Sequence, residues 1–288
     1  MTTSVQRFTW PRRRLRTARA AARSDILVTI AVTVLALIVI AAIFAPLVAP
    51  YNPNAIDLSA VQQGSSAAHI LGTDENGRDL LSRLLFGARP ILAGTSLIVA
   101  FAVLIGTALA LTAAWIGGAF DTAVSRVLDI GFAFPGLLLA ILAVAVFGPG
   151  LTAPVIALAI AYIPYVARIV RGAAIRERSL PYVSALWIQG TSAFKISAFE
   201  ILPNLMPVIV VQATISFGYA LIDLAALSYL GLGVQPPTSD WGIMVSDGQL
   251  ALLGGHPQQS LYAGAIIVIT VMSCMVVGER LSARWSAG

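Results

Sequence analysis

Apolar residues do not alternate with polar ones along this chain; they come in long runs separated by short polar stretches. The runs occupy about 26–49, 91–117, 127–147, 151–170, 205–230 and 261–277. A bilayer hydrocarbon core of roughly 30 Å takes about 20 residues of helix to cross, so six spanning helices are predicted. A spanning barrel would place apolar residues at every second position, and open sheets would leave backbone groups unpaired in lipid; the pattern therefore selects an all-α bundle. Gly106 beside Thr107 and Pro135 beside Gly136 allow close helix approach or a kink.

Composition agrees: 58% of the 288 residues are hydrophobic and 11% charged, with a mean hydropathy of +0.87, which makes the chain an integral membrane protein rather than a soluble domain. Its single cysteine, Cys274, lies inside an apolar run, so it forms no intrachain disulfide and reads as a small hydrophobe. A pI near 9.8 raises the question of nucleic acid. The basic residues, however, sit in blocks beside apolar runs, as topology signals do, and nucleic acid is not expected as a partner.

Those blocks orient the bundle. Arg7, Arg12, Arg13, Arg14, Arg16, Arg19 and Arg23 hold the N-terminus in the cytoplasm, and six spans return the C-terminus there. The loops then inside carry Arg126, Arg168, Arg171, Arg176, Arg178, Lys195, Arg280 and Arg284, while the outside keeps only Arg78, Arg83 and Arg89. The predicted organisation is a basic cytoplasmic segment, 1–25, followed by a transmembrane domain, 26–288, with an inner loop at 168–204 and outer loops at 50–90 and 231–260. A cleaved signal peptide, even a twin-arginine one on "PRRRLR", is the competing reading of 1–49; the apolar run exceeds the usual signal core and lacks a clear cleavage site, so it is read as a retained span.

The inner loop is the most distinctive stretch. "YVSALWIQ" suits two helical turns, Gly190 breaks them, "SAFKISAFEI" suits a second short helix, and Pro203 is expected to stop it. An interfacial connector anchored by Trp187 and Phe194 and an exposed docking element are both compatible with this pattern. Small residues at Ser184, Ala185 and Ser192 favour close entry into a partner's groove.

The same stretch resembles a family. Tyr182-Val183-Ser184-Ala185, then Gly190, then Ile201-Leu202-Pro203-Asn204 is similar to the "EAA" loop of bacterial ABC-importer permeases, whose pattern runs Y-V-E-A-A, a downstream G, and H-I-L-P-N. In that family the loop carries the coupling helix that sits in a cleft of the cytoplasmic ATPase. The resemblance implies that role for Tyr182, Val183, Ser184, Ala185, Leu186, Gly190, Thr191, Ser192, Lys195, Glu200, Leu202, Pro203 and Asn204. The chain departs from the pattern at Ser184 (glutamate in the family), Leu186 (alanine) and Glu200 (histidine). The missing glutamate leaves shape complementarity, with Arg176, Arg178, Lys195 and Glu200 as substitute ionic contacts.

"LGTDENGRDLLSRLLFGAR", 71–89, resembles the signature of the C-type permease of dipeptide, oligopeptide and nickel importers: Gly72, Thr73, Asp74, Gly77, Arg78, Asp79, Ser82, Arg83, Gly87 and Arg89 all match. From the residues alone it reads as a turn and a capped amphipathic helix on the outer membrane surface, with Asp79 and Arg83 paired one turn apart. A calcium loop is excluded, since the acidic residues lack alternating spacing and a terminal glutamate. "LSYLGLGVQPPTSDWG", 227–242, also matches the family; its glycines and prolines end a helix, and Trp241 suits the membrane interface. Ser228, Gly231, Gly233 and Trp241 are thus candidates for the outer end of a pathway. "FAFPGLLLA", 132–140, matches a family segment in which a proline kinks span three.

Asp223 is the one carboxylate well inside a span, and such a group is by default a functional candidate. Related permeases carry a glutamate at the position of Leu224, one residue away. Asp223 is read as pathway-lining or gate-bonding, against a structural hydrogen bond to a neighbouring helix. His69 and His256 lie in outer loops far apart in sequence, and no metal or catalytic set is evident.

The resemblance spans about 25–285 and implies a permease subunit paired with a homologous second permease, two ATPase domains and an extracytoplasmic binding protein. No G-x-x-x-x-G-K-[ST] loop occurs, so ATP and magnesium are expected on the partners and this subunit is not an enzyme. A peptide is the first-choice cargo; haem or a nickel complex is the alternative within the class. An ion-driven secondary transporter would show inverted repeats and paired intramembrane charges, and neither is visible.

Overall fold

The computed structural model describes residues 13–286, with side chains from 26 to 284. Residues 1–12 of the basic segment lie outside the described residues. Every regular element described is helical: α1 (Arg13–Ile43), α2 (Ala45–Val48), α3 (Leu80–Ile116), α4 (Gly118–Ala133), α5 (Gly136–Phe147), α6 (Thr152–Arg178), α7 (Pro181–Ile188), α8 (Ala193–Ile196), α9 (Leu202–Tyr229), α10 (Trp241–Leu253) and α11 (Gln258–Ser286). Among the described residues five helices are long and apolar enough to cross a membrane.

The third predicted span, 127–147, is a broken one. α4 and α5 meet at a bend of 77°, far more than the kink expected at Pro135. Phe134 adopts an extended conformation (φ −102°, ψ 120°), as the residue before a proline is driven to do. Two other expectations are corrected. The 71–89 stretch is not a separate surface helix: Asp79 caps α3, which runs without interruption from Leu80 through Pro90 to Ile116. Burial of Ala88 and Ile91 outweighs the one backbone hydrogen bond that proline removes. Nor does Pro203 stop a helix. α8 passes through a π-helical turn, Ser197–Ile201, straight into α9, whose first turn contains Pro203, a position that suits proline's fixed φ.

α3 and α6 form the centre of the bundle, with α9 across them. Glycine lets the first pair touch: a Cβ at Gly106 would lie 3.0 Å from the Val166 Cβ and 3.1 Å from the Ala167 nitrogen. At Gly94 it would meet Leu224, Leu151 and Val155, and at Gly131 the ring of Pro164. Ile91, Ile98, Leu158, Val166, Val170, Leu221 and Leu224 fill the interior. α11 packs against α9, α10 and α1, with Gly218 against Met275. Cys274 is buried, as an apolar side chain would be.

Candidate functional site

Two polar assemblies stand at opposite ends of the bundle. The first closes the 179–201 loop. α6 ends in Glu177, whose Oε1 accepts hydrogen bonds from the Tyr182 hydroxyl and the Asn204 Nδ2, each at 2.8 Å. Asn204 also donates to the Tyr182 oxygen at 3.2 Å. Burial and the bond to Glu177 raise the Tyr182 hydroxyl above the ordinary tyrosine range. Next to Glu177, Arg178 donates to the Ala114 carbonyl at 2.5 Å, satisfying an orphan group at the end of α3. It also lies 5.2 Å over the Trp115 ring, which meets Trp187 edge-on.

Between these anchors the loop is an exposed helical hairpin. In α7, Val183 is buried and Leu186 packs on the core, while Ser184 and Ala185 face outward. Gly190 turns the chain at φ +81° with open space around it, a conformation natural to glycine. The Thr191 nitrogen bonds back to the Leu186 carbonyl, and the Ser192 hydroxyl caps α8. Trp187, Ile188, Phe194 and Phe199 are all largely exposed, Ile188 at 83%; an apolar hairpin tip so bare marks a contact surface. Lys195, Glu200, Leu202 and Pro203 continue along its second arm, with Arg176 exposed beside it. Arg178, expected as a substitute ionic contact, is instead committed to Ala114 and Trp115. Glu177 was not foreseen, although its position five residues before Tyr182 placed it within reach.

The second assembly locks the start of α3. Gly72 and Gly77 have φ of +82° and +74° and lie against the backbones of Gln63 and Asp57. The Thr73 hydroxyl bonds the Ala60 carbonyl. Asp74 Oδ1 accepts from the Asn76 and Arg78 nitrogens at 2.8 and 2.9 Å, and Oδ2 from Arg78 Nε at 2.6 Å. Asp79 does not pair with Arg83 as predicted. Its Oδ2 takes the Ser82 nitrogen and hydroxyl, each at 2.8 Å, and its Oδ1 lies 3.0 Å from His69 Nδ1. A capping aspartate satisfies the orphan donors of the first turn, and that use outcompetes the ion pair. Arg83 turns inward, 1% exposed, with Nε 3.5 Å from Asp74 and Nη2 3.9 Å from Asp247. Arg89 remains exposed.

The outer-pathway candidates join this lock. Trp241 is buried in the protein, 1% exposed, rather than presented to lipid, and donates its indole N–H to the Leu84 carbonyl at 2.9 Å. A Cβ at Gly87 would lie 3.3 Å from its ring. Ser228 is buried against Gly233 and Gly242, while Gly231 makes an exposed turn at φ +76°. Asp240 caps α10 through Gly242 and is fully buried; burial pushes its carboxyl up to about 6 against the pull of the backbone donors. Asp223 bonds elsewhere, accepting from the Tyr162 hydroxyl at 2.9 Å. Among the described residues no three His, Cys, Asp or Glu converge as metal ligands.

Comparison with known proteins agrees with this architecture. Residues 102–285 match the family of binding-protein-dependent transport system inner membrane components, and residues 14–66 match the N-terminal transmembrane domain of oligopeptide transport permease C. The di/tripeptide transport system permease protein DppC of Pseudomonas aeruginosa is 40% identical over 252 residues, covering 85% of this chain and 82% of that protein. The glutathione transport system permease protein GsiD of Pectobacterium atrosepticum is 37% identical over 260 residues, 90% and 86% of the two chains. In fold, the chain resembles an inward-facing structure of the MetNI methionine ABC transporter, with a TM-score of 0.58 at 21% identity over 71% of this chain and 97% of that one. The chain belongs to the binding-protein-dependent transport system inner membrane components, as a multi-pass ABC-importer permease of the bacterial inner membrane.

Proposed function

We propose that this subunit forms half of the translocation pathway of an ATP-driven importer of short peptides. Membership of the family brings an extracytoplasmic binding protein and an ATPase as partners; on our reading the pathway also needs a second, homologous permease and two cytoplasmic ATPase domains, with ATP and magnesium on those domains alone. The similarity to permeases named for di/tripeptide and glutathione transport supports a peptide cargo over haem or a nickel complex.

One observation carries the coupling role: the bare hairpin around Gly190 is tied at its base, through Glu177, to α6 and α9 at once. A push on the hairpin by a closing ATPase dimer is thereby delivered to two spanning helices together. Rigid-body tilting of packed helices is an established way to switch between two states. On this reading the hairpin and both termini lie in the cytoplasm, which the arginine count supports. Lipid surrounds the exposed apolar faces, among them an apolar groove of about 700 Å³ lined by α5 and α6.

Co-expression with an ATPase and a second permease encoded beside it, followed by vanadate-sensitive ATPase assays, tests this reading. The expected result is an assembly whose ATPase is lost or uncoupled by Gly190→Arg. A wild-type chain that recruits no ATPase, or a Gly190→Arg assembly with unchanged transport, would overturn it.

A further inference from the structure

Ionisable groups at membrane depth are costly, and they face protein or water rather than lipid. Asp223 and Arg168 stand at the two ends of one continuous ladder of tyrosine and phenylalanine rings. At one end stands Asp223, six residues before the end of α9, with the Tyr162 hydroxyl at 2.9 Å. That is its only hydrogen bond among the described residues, and none of their lysines or arginines pairs with it. Tyr162 lies beside Tyr165, ring centroids 5.8 Å apart. Tyr165 meets Phe132 edge-on at 4.7 Å, and the Arg168 guanidinium lies 4.1 Å over the Phe132 ring. Arg168 also bonds Asp129, an interaction that leaves most of its five N–H donors free.

The ladder is open on one side. Tyr162, Tyr165 and Arg168 follow at intervals of three along α6, so each neighbours the next while the row winds about 120° round the helix, from the buried Tyr162 to the exposed Arg168. Tyr165 is 49% and Arg168's side chain 53% exposed. Tyr219, one turn before Asp223 on α9, is 55% exposed. A polar face of this kind within the span is covered in the assembly by another protein chain or by water. Along α6, six residues separate Tyr162, the partner of Asp223, from Arg168, a rise of about 9 Å that sets the length scale of the ladder. An extended peptide of two or three residues spans about 7–10 Å between its termini.

Accepting the peptide-importer reading, we infer that this ladder holds a short zwitterionic peptide in transit. The Asp223 carboxyl group receives the peptide's ammonium, Arg168 receives its terminal carboxylate, and the rings of Tyr165 and Phe132 face its amide and side chains. A carboxylate without a cation then has one. Ammonium–carboxylate contact at the first position and aromatic faces beside it suit any side chain, since both contacts address parts common to all short peptides. A chain blocked at its N-terminus or much longer than three residues forfeits one of the two ends.

The test uses the complete importer in proteoliposomes, with its binding protein saturated by labelled Ala-Ala, comparing wild type with Asp223→Asn, Asp223→Glu and Arg168→Gln. The expected result is at least a tenfold fall in Ala-Ala uptake for Asp223→Asn and Arg168→Gln, partial recovery in Asp223→Glu, and vanadate-sensitive ATPase within twofold of wild type in all. Uptake within twofold of wild type in Asp223→Asn overturns the proposal. So does loss of the second permease from the purified Asp223→Asn assembly, which would assign the missing cation to a side chain of that subunit, or an ATPase that falls in step with uptake, which would make the contact structural. A wild-type assembly that hydrolyses ATP but moves no peptide refutes the peptide reading itself.

Discussion

Tyr182 and Asn204, at the two ends of the exposed hairpin, share a single acceptor, Glu177 Oε1, at 2.8 Å each. The hairpin therefore hangs from one carboxylate at the end of α6. Glu177→Ala releases both strings, and each hydrogen bond is worth about 1 kcal/mol at a half-exposed position. The expected phenotype is thus mechanical more than structural. Thermal unfolding of the purified subunit should move by only a few degrees, whereas transport per ATP hydrolysed should fall severalfold. Tyr182→Phe, which removes one bond and keeps the ring, should lie between wild type and Glu177→Ala. Unchanged coupling in Glu177→Ala would show that the loop transmits force by packing of Val183 and Ile196 alone.

Gly190 separates backbone strain from surface contact. Its φ of +81° costs an ordinary residue about 1–2 kcal/mol, yet a Cβ there meets nothing within the chain. Asparagine tolerates this conformation and alanine does not. If the turn's geometry alone matters, Gly190→Asn should behave like wild type and Gly190→Ala should be weakened. If the turn also approaches a partner closely, both should lose ATPase binding, and Gly190→Arg most of all. Co-purification of the ATPase with each variant decides between these outcomes.

The order of helices and the hairpin were legible because both are written in local terms: runs of about 20 apolar residues and a glycine between two short amphipathic stretches. What escaped the sequence was competition between partners. Asp79 and Arg83 stand one turn apart and satisfy a helical pairing rule, but Ser82 and His69 claim the aspartate while Asp74 and Asp247 draw the arginine inward. Trp241 sits beside a polar loop, as interfacial tryptophans do, yet Leu84 offers its carbonyl from 157 residues away. Pro203 carries a helix-breaking signal, and its meaning reversed because a π-helical turn makes it the start of α9. The first two errors come from partners that a one-turn pairing rule or a loop's polarity does not reveal, and the third from a local π-helical turn.

Gly106 fixes how closely α3 and α6 approach. A methyl group there would lie 3.0 Å from Val166, 3.1 Å from the Ala167 nitrogen and 3.2 Å from the Ile163 carbonyl. Two of these three atoms belong to the backbone and cannot rotate away, so even Gly106→Ala should push the helices apart. Overpacking of this kind costs about 1–3 kcal/mol. The detergent-solubilised protein should lose several degrees of thermal stability, while Gly264→Ala, inside α11 where a Cβ meets nothing, should leave it unchanged or slightly raised, alanine being the better helix former. Equal melting of the two variants would show that α3 and α6 are not held at this contact.

A pH dependence is expected at the capped start of α10. Asp240 is fully buried, and burial raises its carboxyl from the ordinary 3.8 to about 6. A carboxyl whose proton is held more tightly in the fold than in the unfolded chain stabilises the fold while protonated. That contribution is complete below about pH 4 and is lost as pH rises through about 6. A displacement of two pH units corresponds to at most roughly 3 kcal/mol, here at the junction of α10 with Ser228 and Trp241. Asp240→Asn keeps the cap, since asparagine accepts from a backbone N–H as aspartate does, and removes the titration. Between pH 4 and 6 the stability difference between variant and wild type should therefore shift in the variant's favour by about that amount, and it should be constant above pH 7. Thermal unfolding of both proteins across that range measures the difference; parallel curves would mean that the carboxyl titrates with water around it rather than in the packed interior.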